Sequence, residues 1–324
     1  MVEPGSGEAV GGDTPRGVDT ADAAPERDIP TFSVLVGSLI ILTTGVVFSF
    51  GGLAFRITDD VNAWQYAILR GIGALGVTAI ILGVRYRGRF SELIGPIDRS
   101  HLGAGLLMAL MNAAFLISLE RASVAFILAL QTLAPLAAAY FSWILLRERV
   151  SRAVIAATMV SLVGVLIMFS ATLTDRVDPL GLIAVGIPVA FGLYATLIRA
   201  AKTIDPQVPI VVAGAVLTVI GVIGALSTGG LGISLHDALI GLFAGSALLA
   251  IPVAFLNHAT RVVPASEVAL LLMSEVILAP VWVWLFVDET PETTTLLGGS
   301  IVFAAVAGLL IWRRQRSIVT FARR

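Results

Sequence analysis

The sequence predicts an all-α polytopic membrane protein of ten transmembrane helices, arranged as two related halves of five. Three observations carry that prediction. Of 324 residues 57% are hydrophobic and 13% charged, with a mean hydropathy of +0.95; an ordinary soluble domain is roughly a quarter charged. Ten apolar runs approach or exceed the ~20 residues that a helix needs to cross a ~30 Å hydrocarbon core. A single shift of 141 positions superimposes landmarks of the first half on the second.

Residues 1–30 precede the first run and differ from everything after them. They hold seven acidic residues (Glu3, Glu8, Asp13, Asp19, Asp22, Glu26, Asp28), two arginines, five glycines and no aromatic. Such a segment buries too little apolar surface to offset its ordering entropy, and a disordered tail is expected. A secretory leader would begin with basic residues, whereas this segment is acidic and the run after it is long enough to span.

The runs then follow in order. The first, 32–55, contains "GVVFSFGGLA"; the second, 64–86, carries Arg70 and "GIGALG"; the third, 101–119, carries Asn112. The fourth, 122–146, holds Gln131 and Pro135, and the fifth, 151–171, is uncharged after Arg152. The sixth, 179–200, has Pro188 and Tyr194; the seventh, 207–228, has no charge at all; the eighth, 237–257, has Pro252 and Asn257. The ninth, 265–287, includes "LLLMSEVILAPVWVWLFV" with Glu275 near its middle, and 294–313 forms the tenth. Strands of a membrane barrel would be about ten residues of alternating polarity; these runs are apolar all round and about twice as long.

Arginine placement sets an expected orientation, because cytoplasmic loops carry the excess of basic residues. With the N-terminus inside, the inner segments hold 17 of the 21 basic residues, among them Arg85, Arg87, Arg89, Arg147, Arg149 and Arg313. The outer loops hold Arg56, Arg121 and Arg176 alone. Both termini are therefore expected in the cytoplasm, in the inner membrane.

The 141-residue shift lays "GVVFSFGGLA" (45–54) over "GIPVAFGLYA" (186–195), and puts Ala138 on Ala279, Trp143 on Trp284 and Glu148 on Glu289. Two five-span halves have opposite topology, since five is odd. Inverted repeats of this kind belong to secondary transporters, whose related halves exchange conformations about a central site. The expected divisions are an acidic tail at 1–30, a first repeat at 31–172, a second at 173–315 and a basic cytoplasmic tail at 316–324.

Each half ends in a similar way: "PLAAAYFSWILLRERVSRAVIAATMVSLVGVLIMF" from Pro135 and "EVILAPVWVWLFVDETPETTTLLGGSIVFAAVAGLLIW" from Glu275. A proline-led fourth helix closing on an acidic residue, then a small-residue-rich fifth, resembles the drug/metabolite transporter superfamily and its ten-helix EamA-type permeases. The second copy departs from that pattern at Val276, where the repeat would place proline. The resemblance implies uptake or export of small polar metabolites such as amino acids, by a monomer with its pocket between the halves.

Glu275 is the leading candidate site residue. A charge near the bilayer centre costs on the order of 2.5–3.5 kcal/mol on insertion scales, so it is expected to face a cavity or a partner: as a substrate contact or a protonatable coupling group, or as a carboxyl that stays protonated and hydrogen-bonds a neighbouring helix. Asn112 and Gln131 are neutral polar groups deep in apolar runs, suited to substrate contact or to hydrogen bonding between helices. Tyr194 reads either as a cap on a pocket, through its ring and hydroxyl, or as a packing residue. Arg70, six residues past Trp64, reads as an interfacial anchor whose stem snorkels to the headgroups, with a coupling role beside Glu275 as the second reading. Pro135, Pro188, Pro252 and Pro280 mark places where helices break or kink, and broken helices tend to mark transporter sites.

Other features read as structural. Glu148 and Glu289 end spans at water interfaces, and Asn257 with His258 is expected near the cytoplasmic face. "GIGALG" matches a dinucleotide-loop fingerprint only formally, because no strand precedes it; in a membrane helix it reads as a packing surface. With no cysteine and with His101, His236 and His258 at different span ends, no metal site, catalytic group or cofactor is expected, and no nucleic-acid partner. The alternatives to a transporter are a receptor or scaffold, which would need sizeable soluble regions, and a membrane-embedded enzyme, which would need clustered acidic or histidine groups.

Overall fold

The computed structural model describes residues 33–86, 99–121, 127, 130–168, 183–200, 207–228, 230–287 and 293–321. The acidic tail, Arg87, Arg89, Arg176, Glu289 and the start of the expected fourth span lie outside the described residues. Those described are helical, with short connections and no strand among them. In chain order the helices are α1 (Val34–Phe48), α2 (Gly51–Arg56), α3 (Ala63–Tyr86), α4 (Arg99–Arg121), α5 (Ala134–Leu146), α6 (Arg152–Met168) and α7 (Gly186–Ala200). They continue as α8 (Val208–Thr228), α9 (Leu235–Gly245), a π-helical turn (Ser246–Ala250), α10 (Ile251–Thr260), α11 (Ala265–Leu271), α12 (Ser274–Val287) and α13 (Thr293–Phe321).

Six stretches are long and apolar enough to cross a membrane: 34–56, 63–86, 99–121, 183–200, 208–228 and 235–260. The other expected spans contribute shorter apolar helices, the fourth and ninth because a turn interrupts each of them. Their outward side chains are hydrocarbon: Ile80, Val84, Val219, Ile223 and Leu226 are all more than half exposed. In water such contiguous apolar surface would drive aggregation; in lipid it is the solvated face. The protein is a multi-pass membrane protein. The last helix runs to Phe321, past the tail boundary expected at 315.

Helices pair mainly across the expected halves. Helix α3 lies along α8, and α6 along α13, each against the element that follows it by 141 residues. Other pairings come in shifted couples: α4 with α7 and α10 with α1, α4 with α8 and α9 with α3. Glycines set the closest crossings. A Cβ built on Gly71 would lie 2.8 Å from the Gly214 carbonyl oxygen, and one on Gly214 would lie 2.9 Å from the Gly71 oxygen. Gly73 is similarly closed off by the Leu242 backbone, so "GIGALG" is a packing surface at its first two glycines, whereas Gly76 meets nothing within 4 Å.

The two ends of the bundle are stitched separately. At one, Asn62 Nδ2 donates to Thr228 Oγ1 at 3.4 Å, Gln65 Nε2 to the Gly230 and Gly232 carbonyls at 3.2 and 3.1 Å, and the Asp59 amide to Asp237 Oδ1 at 2.9 Å. The Ala63 amide there donates to Glu120 Oε1. At the other, Arg199 Nε meets Glu148 Oε1 at 2.7 Å, and its Nη1 reaches the carbonyls of Thr260, Arg261 and Val263. Glu148 thus serves as a structural boundary, with Arg199 as a partner that sequence neighbours do not reveal. Segments expected on one side of the membrane meet at the same end.

Candidate functional site

Helix interruptions converge on one place. The Ser49–Phe50 turn separates α1 from α2, a turn at Thr132 and Leu133 precedes α5, a π-helical turn joins α9 to α10, and Leu272–Met273 separates α11 from α12. Residues at or beside every one of them (Phe48 and Gly51; Gln131 and Ala134; Leu249; Leu272, Met273 and Glu275) line a single cavity of about 130 Å³. A void of that size takes a benzene-sized body.

Local chemistry explains the breaks. Pro135 has no amide hydrogen and its ring crowds the carbonyl four residues back, which falls at Gln131, and the helix restarts after Leu133 with proline in its first turn. Pro252 likewise follows the π-helical turn. Proline is absent at Val276, the equivalent of Pro135, yet the interruption survives at Leu272–Met273 through i→i−3 bonds such as Glu275 N to Leu272 O at 3.0 Å. Gly45 passes against that turn, where a Cβ would overlap Ser274 Oγ. The Trp282 indole donates to Ser49 Oγ at 2.6 Å and its ring stacks on Phe50 at 4.4 Å, tying α12 to the first break.

All five residues singled out from the sequence line this cavity: Glu275, Asn112, Gln131, Tyr194 and Arg70. Glu275 occupies the first turn of α12 and is half buried. Asn112 donates back to its own helix, to Met108 O at 2.9 Å, so its amide is not bridging helices there. The Tyr194 hydroxyl donates to Asn257 Oδ1 at 2.7 Å. Asn257 is fully buried, a correction to its expected place near the surface: the helix runs on to Thr260, which puts Asn257 a turn inside.

Arg70 is the larger correction. It is not an interfacial anchor: it is only 7% exposed and faces the cavity, where it interacts electrostatically with Glu275. Helix α3 begins at Ala63, so Arg70 lies two turns in, and Gly245 packs closely against its backbone. Sequence spacing along one helix could not show that the neighbouring face is a cavity.

The wall also carries a pattern invisible to single residues. Five pairs of lining residues stand 141 apart: Met108 with Leu249, Asn112 with Val253, Phe115 with Leu256, Gln131 with Leu272, and Ala134 with Glu275. In three of them a polar or charged side chain has an apolar counterpart. At this spacing the positions recur along the wall and their polar groups do not.

Away from this wall, His236 Nδ1 lies 3.3 Å from Asp59 Oδ2 and 3.4 Å from Asp237 Oδ1. Among the described residues this trio alone could offer three ligand atoms to a metal ion. Its hydrogen bond from the Asp59 amide makes it a tie between a loop and the start of α9.

Residues 35–170 match the family model of the EamA-like transporter family. Over these residues the chain is similar to that family, which supports an EamA-type assignment. The match covers nearly all of the first expected repeat, 31–172, and bears out the resemblance read from the helix ends. A crystal structure of a protein 18% identical in sequence superimposes with a TM-score of 0.71, covering 85% of this chain and 97% of that one; at that identity the likeness speaks to the fold alone. No curated protein sequence matches this chain.

Proposed function

We propose that the protein is a secondary transporter, moving a small polar metabolite across the cytoplasmic membrane by alternating access between two inverted five-helix halves. The observation that carries this reading is the cavity where the helix interruptions meet, with Arg70, Asn112, Gln131, Tyr194 and Glu275 on one otherwise apolar wall. Broken helices at a binding site are a device of secondary transporters. The shifted helix pairings and the 141-residue spacing of wall residues favour a duplicated fold. The protein acts as a monomer, with the lipid bilayer and its substrate as partners, and Glu275 is the group through which a proton gradient drives flux.

Purified protein in liposomes is expected to move its metabolite faster with an imposed pH gradient, and Glu275→Gln to lose that stimulation. Full gradient-driven flux in Glu275→Gln, or no response to the gradient, would refute proton coupling.

Sidedness has a clean test because the chain has no cysteine. With both termini inside, Asp60→Cys is expected to react with a membrane-impermeant maleimide in intact cells and Arg149→Cys only after lysis. The reverse pattern inverts the topology.

A further inference from the structure

Arg70 and Glu275 are the two oppositely charged side chains on the cavity wall. A guanidinium presents five donors in a rigid fork, yet Arg70 Nε is buried without a hydrogen-bond partner. Glu275 acts on it through space without closing an ion pair. Few other groups compete. Of the elements packed on α12, α1 has no titratable residue, α2 only the exposed Arg56, and α13 none from Thr293 to Trp312. Around Arg70, Tyr66 stands one turn earlier on α3, and α8 brings no titratable residue; α4 and α9 bring theirs (Arg99, His101, Glu120, Arg121, His236, Asp237) only near their ends.

We propose that the cavity binds a small organic monocarboxylate whose oxygens dock on Arg70, and that Glu275 competes for this guanidinium until it takes up a proton. The proposal rests on the transporter reading and names its substrate class. With both side chains ionised the empty site is neutral. A carboxylate entering it would bring a second negative charge into an apolar volume, and two carboxylates sharing such a site do not both stay ionised. Protonation of Glu275 restores neutrality and frees the fork for bidentate docking. Anion and proton therefore bind together, each raising the other's affinity by the same factor. A cationic amine would add a second positive charge beside Arg70, and a neutral amide would offer the guanidinium no charge-assisted bidentate partner while Glu275 remains its counter-charge.

Benzoate, benzamide and benzylamine share a ring that suits the cavity and differ in their polar group. Full-length protein in nanodiscs, titrated by calorimetry, is expected to bind benzoate at least tenfold more tightly than either of the others. Above the pH at which Glu275 ionises, benzoate affinity falls about tenfold per pH unit, and buffers of differing ionisation enthalpy read one proton taken up per benzoate. Glu275→Gln keeps benzoate binding and loses both the slope and the proton uptake; Arg70→Lys, which retains charge without the fork, weakens benzoate binding and leaves benzamide unchanged. Equal binding of benzamide, preference for benzylamine, or an intact slope in Glu275→Gln overturns the proposal. Metabolite flux in liposomes without benzoate binding rejects the carboxylate site and spares the transporter reading, whereas absence of flux for every metabolite tried rejects the transporter reading itself.

Discussion

Gly214→Leu is expected to yield no monodisperse protein, while Gly76→Leu purifies and melts within about 0.5 kcal/mol of the parent, as surface changes usually do. Both are glycines in helices, so helix propensity cannot separate them. At 214 even the first carbon of a side chain would lie 2.9 Å from the Gly71 oxygen and 2.9 Å from the Leu75 amide nitrogen. Those obstacles are backbone atoms, which no rotamer change removes. Gly214→Ala already forces α3 and α8 apart at a cost of about 1–3 kcal/mol, and leucine adds three more carbons to the same gap. At 76 the added side chain meets nothing within 4 Å. Size-exclusion profiles and melting curves in detergent decide the matter; a well-behaved Gly214→Leu protein would mean that the α3–α8 crossing is not a fixed contact.

The second large effect concerns the cavity charges. Glu275→Leu is expected to lower stability by about 3–5 kcal/mol, because removing one member of a buried charge pair strands the other. The sign follows from burial: Arg70 has almost no access to water and cannot recover hydration when its counter-charge goes. Glu275→Gln costs less, since it keeps a polar side chain of the same size facing the guanidinium. Combining Glu275→Leu with Arg70→Met removes both charges and is expected to restore most of the loss, as apolar replacements of whole buried pairs do. Denaturant titration of the four proteins in one detergent gives the coupling energy; additive effects would show that the two groups do not depend on each other.

Much of this architecture is legible in the sequence. Helix bounds such as 64–86 and 207–228 reappear as Ala63–Tyr86 and Val208–Thr228, because hydrocarbon length fixes how long an apolar run must be. Glu275, Asn112, Gln131 and Tyr194 were findable because polarity in an apolar run is costly, and all four reach the cavity. The place of Arg70 is not legible in the sequence, because its distance from Trp64 says how deep it lies and nothing of which neighbours surround it. Asn257 was misplaced by a helix that runs three residues beyond the expected end. The π-helical turn over "SALLA" had no signal, as those residues suit an ordinary helix. The Arg199 clamp joins residues 51 to 64 positions apart, beyond what pattern along the chain can show.

The interruptions described around the cavity have a mechanical consequence. Each leaves stiff rods on either side of a short joint, and residues at or beside each joint line the cavity. The 13-residue rod Ala134–Leu146 is about 20 Å long at 1.5 Å per residue, so a 5° swing at its inner end carries the outer end through about 1.7 Å. A few degrees of bend at one joint is thereby enough to shift the far end of a rod by more than a bond length.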